Sequence, residues 1–442
     1  MTPNSTPLID LAGIARLADV RRPVASMWRT RFASGPDAFP SAVDDQDGRL
    51  LFEASVVAEW LSRSGRGNNP EVRADVAASS TPPGFSFSDS RSVSELEALI
   101  ALSSQLNTVG DRSPTGLRAL AAQIDPRNEY LRAEVEAHVD RAAGWFDYAE
   151  SLIDATYSPA AALALVGRRH TALMSAAGST GSLTGDAIAL VAEATHALVV
   201  HATEDTEANV AVILDPNDAE LTVTLADALG EEVDISLPPG SSGRRARRRL
   251  IASGRWLANA TAPARSVIVA RVPGGREDDI ATMLRTIDDL ALSLGDQDSA
   301  IVVGPARALV DALNTEADQI RSDILRTGRV RGIARLAPGL IEAAPRESIA
   351  FWMLGVPMGQ VPINERFTIV ADLIDAPLST ASRDDLVTDL IASMRSPAKC
   401  VGTHSASGSS CEPQRCWRAV VRWRTLWHRR TPPARVRLNS PH

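Results

Sequence analysis

From Thr184 onward the chain alternates short apolar runs with amphipathic segments, and this alternation limits its possible folds more than any other feature. Thr184 to Val200 has helical periodicity. Ala211-Val212-Ile213-Leu214 is a continuous apolar run, the kind buried on both faces of a parallel sheet. Leu221 to Leu229 is helical, Val233 to Leu237 a second strand, and Arg245 to Leu257 a helix. Ser266 to Ala270 and Ser299 to Val303 form third and fourth strands around a helix over Asp278 to Leu294. Arg307 to Arg326 is again helical, and Val330 to Leu336 and Ile349 to Leu354 are further strands. Strands alternating with helices predict an α/β fold, a doubly wound sheet with helices on both faces. Ligands in such sheets bind outside the strand carboxyl ends. The positions of interest therefore follow Leu214, Leu237, Ala270 and Val303.

The N-terminus has a different character. Leu8 to Ala18 places apolar residues at three- and four-residue spacing, the pattern of an amphipathic helix. After the break at Asp19-Val20, Arg21 to Arg31 predicts a second helix with Pro23 in its first turn, where proline is tolerated. Arg21, Arg22, Arg29 and Arg31 lie in that segment with Ser26, Trp28 and Thr30 among them. Helix, tight turn and basic second helix form the helix-turn-helix pattern, in which arginines contact phosphate and guanine and hydroxyls help position the helix. Phe39 to Val43 and Arg49 to Phe52 predict two strands around the turn Asp44 to Gly48, and Glu53 to Arg63 a closing helix. The order resembles the winged helix-turn-helix of the MerR and excisionase group, here spanning 8–63, and the expected partner is double-stranded DNA.

Residues 64–92 are rich in Gly, Pro, Ser and Asn and predict a linker. A helical region follows over 93–173, with segments at Val93 to Leu106, Pro114 to Ile124, Asn128 to Tyr157 and Pro159 to Leu173. The α/β domain occupies 184–396. Within it, Arg244-Arg245 and Arg247-Arg248-Arg249 sit at a helix start; a solvated helix face is the expected reading and a phosphate contact its rival. Arg329, Arg331 and Arg335 alternate along a strand, which predicts an edge or rim position.

The chain has 442 residues and a net charge of −8. That figure conceals an asymmetry: Ala398 to His442 hold eight arginines, the one lysine of the chain and a single acid, Glu412. An acidic body implies that DNA contact is local. No run of eighteen apolar residues exists, so a membrane span is not expected. Asp10 interrupts the place where an export signal would need its apolar core, and all three cysteines lie at or after Cys400. A cytoplasmic protein without structural disulfides is expected. Cys400, His404, Cys411 and Cys416 lack a Cys-x-x-Cys pair, so no metal site is expected. The segment 397–442 is an irregular basic tail; a change of reading frame or a basic, aromatic nucleic-acid-binding tail accounts for it, and the former is preferred.

Taken together, Leu11 to Leu61, Gly65 to Pro70, Asp147 to Pro159 and Ile324 to Gly355 resemble adenine-specific DNA methylases of restriction-modification type, in the actinobacterial form with an N-terminal helix-turn-helix. The resemblance implies a Rossmann-like methyltransferase sheet, S-adenosylmethionine as cofactor, and a specificity or restriction subunit as a further partner. The chemistry of that family rests on two motifs. One is an Asp-Pro-x-x-Gly-x-Gly loop after the first strand, which lets the backbone approach the cofactor. Asp215 and Pro216 match it, while Ala219 and Leu221 replace the glycines. Asp234 is the candidate for the ribose-binding acid. The other motif, Asn or Asp, two prolines and an aromatic, accepts hydrogen bonds from the target amino group and stacks on the flipped base. Arg271, Val272, Pro273 and Gly274 stand there, and only Pro273 matches. Arg271 is a donor where an acceptor is required. The expectation is a DNA-binding protein of methylase lineage with impaired or lost catalysis. The alternatives are a helix-turn-helix transcription regulator or a non-catalytic DNA-binding subunit.

Overall fold

The structure is a computed structural model. It describes residues 7–46, 49–105, 113–138, 144–176, 182–204, 210–215, 219–238, 241–255, 257, 265–272, 280–342, 344–358, 367–394 and 418–422. In chain order the elements are β1 (Leu8–Ile9), α1 (Leu11–Leu17), α2 (Arg22–Arg31), β2 (Asp44–Gln46), β3 (Arg49–Glu53), α3 (Ala54–Ser64) and α4 (Val72–Ser79). Next come α5 (Ser90–Ser103), α6 (Pro114–Ile124), α7 (Arg132–His138), α8 (Trp145–Thr156), α9 (Pro159–Ala176) and α10 (Gly185–Thr203). The alternating part runs β4 (Val210–Leu214), α11 (Ala219–Leu229), β5 (Asp234–Ser236), α12 (Ser241–Ala252), β6 (Arg265–Arg271), α13 (Ile280–Ser293) and β7 (Ser299–Pro305). It ends with α14 (Ala306–Leu309), α15 (Thr315–Arg326), β8 (Val330–Leu336), β9 (Ile349–Leu354), β10 (Phe367–Leu373), α16 (Thr380–Met394) and β11 (Arg418–Arg422). The chain divides into two compact units: Met1–Met174 with Pro239–Trp256, and Ser175–Pro238 with Leu257–His442.

The first unit begins with the short strand β1, followed by two helices, the β2–β3 hairpin and a third helix. Leu8 and Ile9 do not join the first helix. They pair antiparallel with Glu53 and Phe52, and α1 starts only after Asp10, whose carboxylate accepts the Gly13 N–H at 2.8 Å. The hairpin strand opposite β3 also differs: Asp44–Gln46 forms it, while Phe39 leaves the hairpin for the core. There Phe39 meets Trp60 edge-on at 5.0 Å between ring centres and Phe52 at 5.5 Å.

The expected linker is part of this unit's packing. Arg66 lays its guanidinium 4.0 Å from the Phe32 ring centre. Gly67 has φ +95°, and a Cβ there would lie 2.8 Å from the Ala18 carbonyl oxygen, so only glycine fits without strain. Asn68 and Asn69 then donate side-chain hydrogen bonds to the carbonyls of Asp19 and Leu17, each at 2.9 Å, closing the end of α1. In α4, Val72 and Val76 enter the core beneath α3, while Ala74 and Ala78 enter that of the helical region. The single helical segment expected over Asn128 to Tyr157 is divided into α7 and α8, with Gly144 at φ +100° before the second.

The second unit is built on a mixed sheet of order β11-β10-β8-β9-β7-β6-β4-β5. Strands β5, β4, β6 and β7 are mutually parallel; β9 runs antiparallel between β7 and β8, and β11 antiparallel beside β10. The sheet is Rossmann-like, as expected, and mixed in direction because β9 and β11 are reversed. Helices cover both faces. Ile333 packs with α13 and α15, and its neighbour Gly332 faces the Leu390 side chain of α16, so successive residues of β8 point to opposite layers. β8 is an interior strand, which overturns the rim position expected for its arginines. Arg331 is buried, Arg335 pairs with Asp311 at 3.0 Å, and Arg329 donates to the Leu294 carbonyl at the end of α13.

Candidate functional site

Strand β4 pairs with β5 on one side and β6 on the other, so the sheet order reverses there. The crevice at a reversal of this kind, outside the strand carboxyl ends, is where a doubly wound sheet presents its ligand site. Both motif positions lie at it. Leu214 is in register with Val269, and the Asp215 N–H donates to the Val269 carbonyl at 2.9 Å. Arg271 ends β6 two residues on, in register with Val303 of β7. The fold thus brings the Asp215 and Arg271 segments side by side. Pro216, Pro273 and Gly274 lie outside the described residues.

The chemistry at this crevice differs from what a glycine loop supplies. α11 begins at Ala219, so positions 219 and 221 carry helical side chains, and both are buried. The Thr222 hydroxyl donates back to the Asp215 carbonyl at 2.9 Å, which holds the first turn of α11 against the end of β4. These residues do not fit a nucleotide cofactor of the expected kind: bulk stands where a bare backbone is needed, and a carbonyl at the strand end is already engaged. Asp234 is not at the crevice. It pairs with Ala211 at the start of β4, three residues before Leu214, so it lies roughly 10 Å short of the carboxyl edge. The expectation of a ribose contact there is corrected: β5 ends at Ser236.

The second motif position is equally altered. Arg271 and Val272 are buried, and the Val272 N–H donates to the Val303 carbonyl at 2.8 Å. The cavity they share with Leu183, Gly304 and Ile341 holds only about 10 Å3 of space, near the minimum for a single water and far below a nucleobase. The Gly304 position is close-packed as well; a Cβ there would meet the Leu309 side chain at 3.2 Å.

In the first unit, α2 separates its residues sharply. Ala25 and Trp28 are buried, and Trp28 meets Trp60 edge-on at 5.8 Å between ring centres. Trp28 is therefore a core residue and is removed from the expected DNA-contacting set. Its indole fills the space between α2 and α3 because the helix places positions 25 and 28 on one face. Arg21, Arg22, Arg29, Thr30 and Arg31 are exposed, and Ser26 is half-buried. Arg21, Arg22 and Arg29 form no ion pair or hydrogen bond through their side chains among the described residues. The Thr30 hydroxyl donates to the Ser26 carbonyl, and Arg31 lies 6.0 Å from the Phe32 ring centre.

The arginine run of α12 is the functional-looking feature that sequence reasoning placed wrongly, since it is largely buried. Arg245 donates to both oxygens of Glu97 at 2.9 and 2.7 Å. Arg248 and Arg249 approach the same carboxylate at 3.7 and 3.6 Å. Arg244 and Arg248 also pair with Glu134. Burial pushes both carboxyls upward, and the guanidinium groups more than offset this, holding Glu97 and Glu134 below the ordinary carboxylate range.

No protein-family model matches the chain, and no curated protein matches it in sequence. Among solved structures, a type I restriction-modification methyltransferase subunit from Streptococcus thermophilus is similar at 8% identity over 89% of this chain and 86% of the other, with a TM-score of 0.38. A subunit from a structural study of type I restriction-modification complex assembly is similar at 10% identity, over 80% of this chain and 87% of the other, with a TM-score of 0.39. The type IIG restriction endonuclease BpuSI is similar at 13% identity, over 84% of this chain and 48% of its own, with a TM-score of 0.42. No helix among the described residues is long and apolar enough to cross a membrane. No group of three or more potential metal ligands occurs among those residues.

Proposed function

We propose that the chain is a DNA-binding protein of methylase lineage whose methyl-transfer site has been lost, and that α2 carries its contact with the duplex. One observation bears most of the weight. In a chain with net charge −8, α2 turns Ala25 and Trp28 inward and leaves Arg21, Arg22 and Arg29 exposed without partners among the described residues. Unpaired arginines on one helix are suited to phosphate and base-edge contacts. Buried Ala219 and Leu221 and the nearly filled cavity beside Val272 support the loss of S-adenosylmethionine binding and base insertion.

The test is duplex binding by the full chain, followed by fluorescence anisotropy across a salt series. Arg22→Ala/Arg29→Ala should weaken binding and reduce the salt slope by about two. Binding and slope unchanged in a variant that melts like the parent would defeat the assignment. Calorimetric titration with S-adenosylmethionine should give no heat, and turnover on genomic DNA would overturn the lost-site reading. A transcription regulator remains the second reading, favoured by the same helix; it predicts preference for one operator over random duplex.

A further inference from the structure

A groove in the first unit runs between α3, α4 and α8 and holds about 680 Å3, within the range of small-molecule sites. Much of its lining is apolar. Buried Trp60 and Val76 contribute to it, beside Val56 of α3, which is 47% exposed. Ala77 of α4 and Ala155 of α8 present small side chains, so these helices shape a channel instead of filling it.

Four charged residues line the groove: Glu59, Arg63, Arg73 and Asp154. Their charges balance, so the groove does not favour a polyanion, in contrast to α2, which carries arginines and no acid. Arg73 is engaged: it approaches Glu59 at 3.5 Å and donates to the Tyr157 hydroxyl at 2.7 Å. Arg63 of α3 and Asp154 of α8 are exposed and form no ion pair or side-chain hydrogen bond among the described residues. One available guanidinium and one available carboxylate thus belong to different walls. The hydroxyls of the groove also have a definite polarity. Ser55 donates to the Glu53 carboxylate at 3.1 Å, Ser80 to the Val76 carbonyl at 3.1 Å and Ser151 to the Tyr148 carbonyl at 2.8 Å. With their hydrogens committed, the three oxygens are acceptors, which suits a ligand that carries N–H donors.

We infer that this groove binds a short apolar peptide through both of its free termini. The carboxylate end meets the Arg63 fork, the ammonium end meets Asp154, the side chains cover Val56, and amide N–H groups face the serine oxygens. A single amino acid holds both charges on one carbon, whereas Arg63 and Asp154 stand on separate helices; a peptide sets its charges apart. The full chain is titrated calorimetrically at two temperatures with trileucine, N-acetyl-trileucine and trileucine amide. Trileucine should bind, and triglycine should bind at least roughly tenfold more weakly for want of apolar side chains. Arg63→Gln and Asp154→Asn should each weaken trileucine roughly fivefold, the upper end for a solvent-facing ion pair. Both positions are exposed, so the variants should melt like the parent. Capping a terminus should remove the matching effect. Asp154→Asn should leave affinity for N-acetyl-trileucine unchanged, and Arg63→Gln should leave affinity for the amide unchanged. If all three peptides bind alike in parent and variants, the groove does not read the termini and the proposal falls. It falls equally if trileucine gives no heat at either temperature.

Discussion

Trp28 and Arg29 are neighbours in the chain and opposites in role. The indole is buried between α2 and α3 and makes an edge contact with Trp60, whose own N–H donates to the Asp37 carbonyl at 3.0 Å. Arg29 is exposed on the other side of the helix. Trp28→Ala therefore removes a large buried ring and should lower stability by about 3–5 kcal/mol. Arg29→Ala should change stability by no more than about 0.5 kcal/mol. Urea unfolding monitored by circular dichroism separates them. Equal losses would mean that the helix is oriented differently. The same logic limits interpretation of binding data: weakened duplex binding in a Trp28 variant reports folding, while weakened binding in an Arg29 variant reports the surface.

Among the elements, α12 shows how a charge run can be misplaced from sequence. Five arginines in six positions suggest a solvated face, yet their acidic partners lie more than a hundred residues away on α5 and α7. Nothing local signals that pairing. By contrast, β9 matches its expected bounds at both ends, because a continuous apolar run buried on both faces is legible without partners; β8 matches too, although Arg331 and Arg335 interrupt its apolar residues. Strand direction was legible only indirectly. The segment joining β8 to β9 contains no helix among its described residues, and a parallel return requires a long crossover, so an antiparallel β9 follows. β10 and α16 lie in the stretch assigned to the domain without named elements. At the candidate site, the meeting of the Asp215 and Arg271 segments follows from strand order, while burial of Leu221 and displacement of Asp234 depend on register, which periodicity does not fix.

The Glu97 cluster makes a prediction with a definite sign. The folded-state values of Glu97 and Glu134 lie below the ordinary carboxylate value, the upward push of burial being outweighed by their arginine partners. Asp125 is lowered as well, by its backbone N–H donors against the push of burial. Stability from a depressed acid is fully present above its unfolded value and is lost as pH falls through the folded one. The parent should therefore weaken progressively below about pH 4.5, the ordinary value for glutamate. Glu97→Gln leaves three guanidinium groups around a neutral amide and should cost about 3–5 kcal/mol at neutral pH. Its acid limb should be shallower than that of the parent. A variant with parental stability and an unchanged acid limb would mean that the cluster contributes nothing net.

For the molecule as a whole, connectivity matters more than either unit's boundary in sequence. The first unit is completed by Pro239–Trp256, a segment that leaves after β5 and returns before β6. Its α12 supplies the cations that neutralise Glu97, which is fully buried in α5, and Arg249 donates to the Leu163 carbonyl of α9 at 3.1 Å. Gly167 in α9 accommodates that guanidinium, since a Cβ there would overlap it. A fragment ending at Met174 would thus leave an uncompensated carboxylate and a missing wall in its helical core. Such a fragment should be expanded or molten, with exposed apolar surface that binds a hydrophobic dye. Adding a synthetic peptide covering 239–256 should restore helicity and a cooperative thermal transition. The same peptide with Arg245, Arg248 and Arg249 replaced by Gln should not. If the fragment alone melts as cooperatively as the parent, the charge cluster is dispensable, and the first unit is complete before the chain enters the sheet.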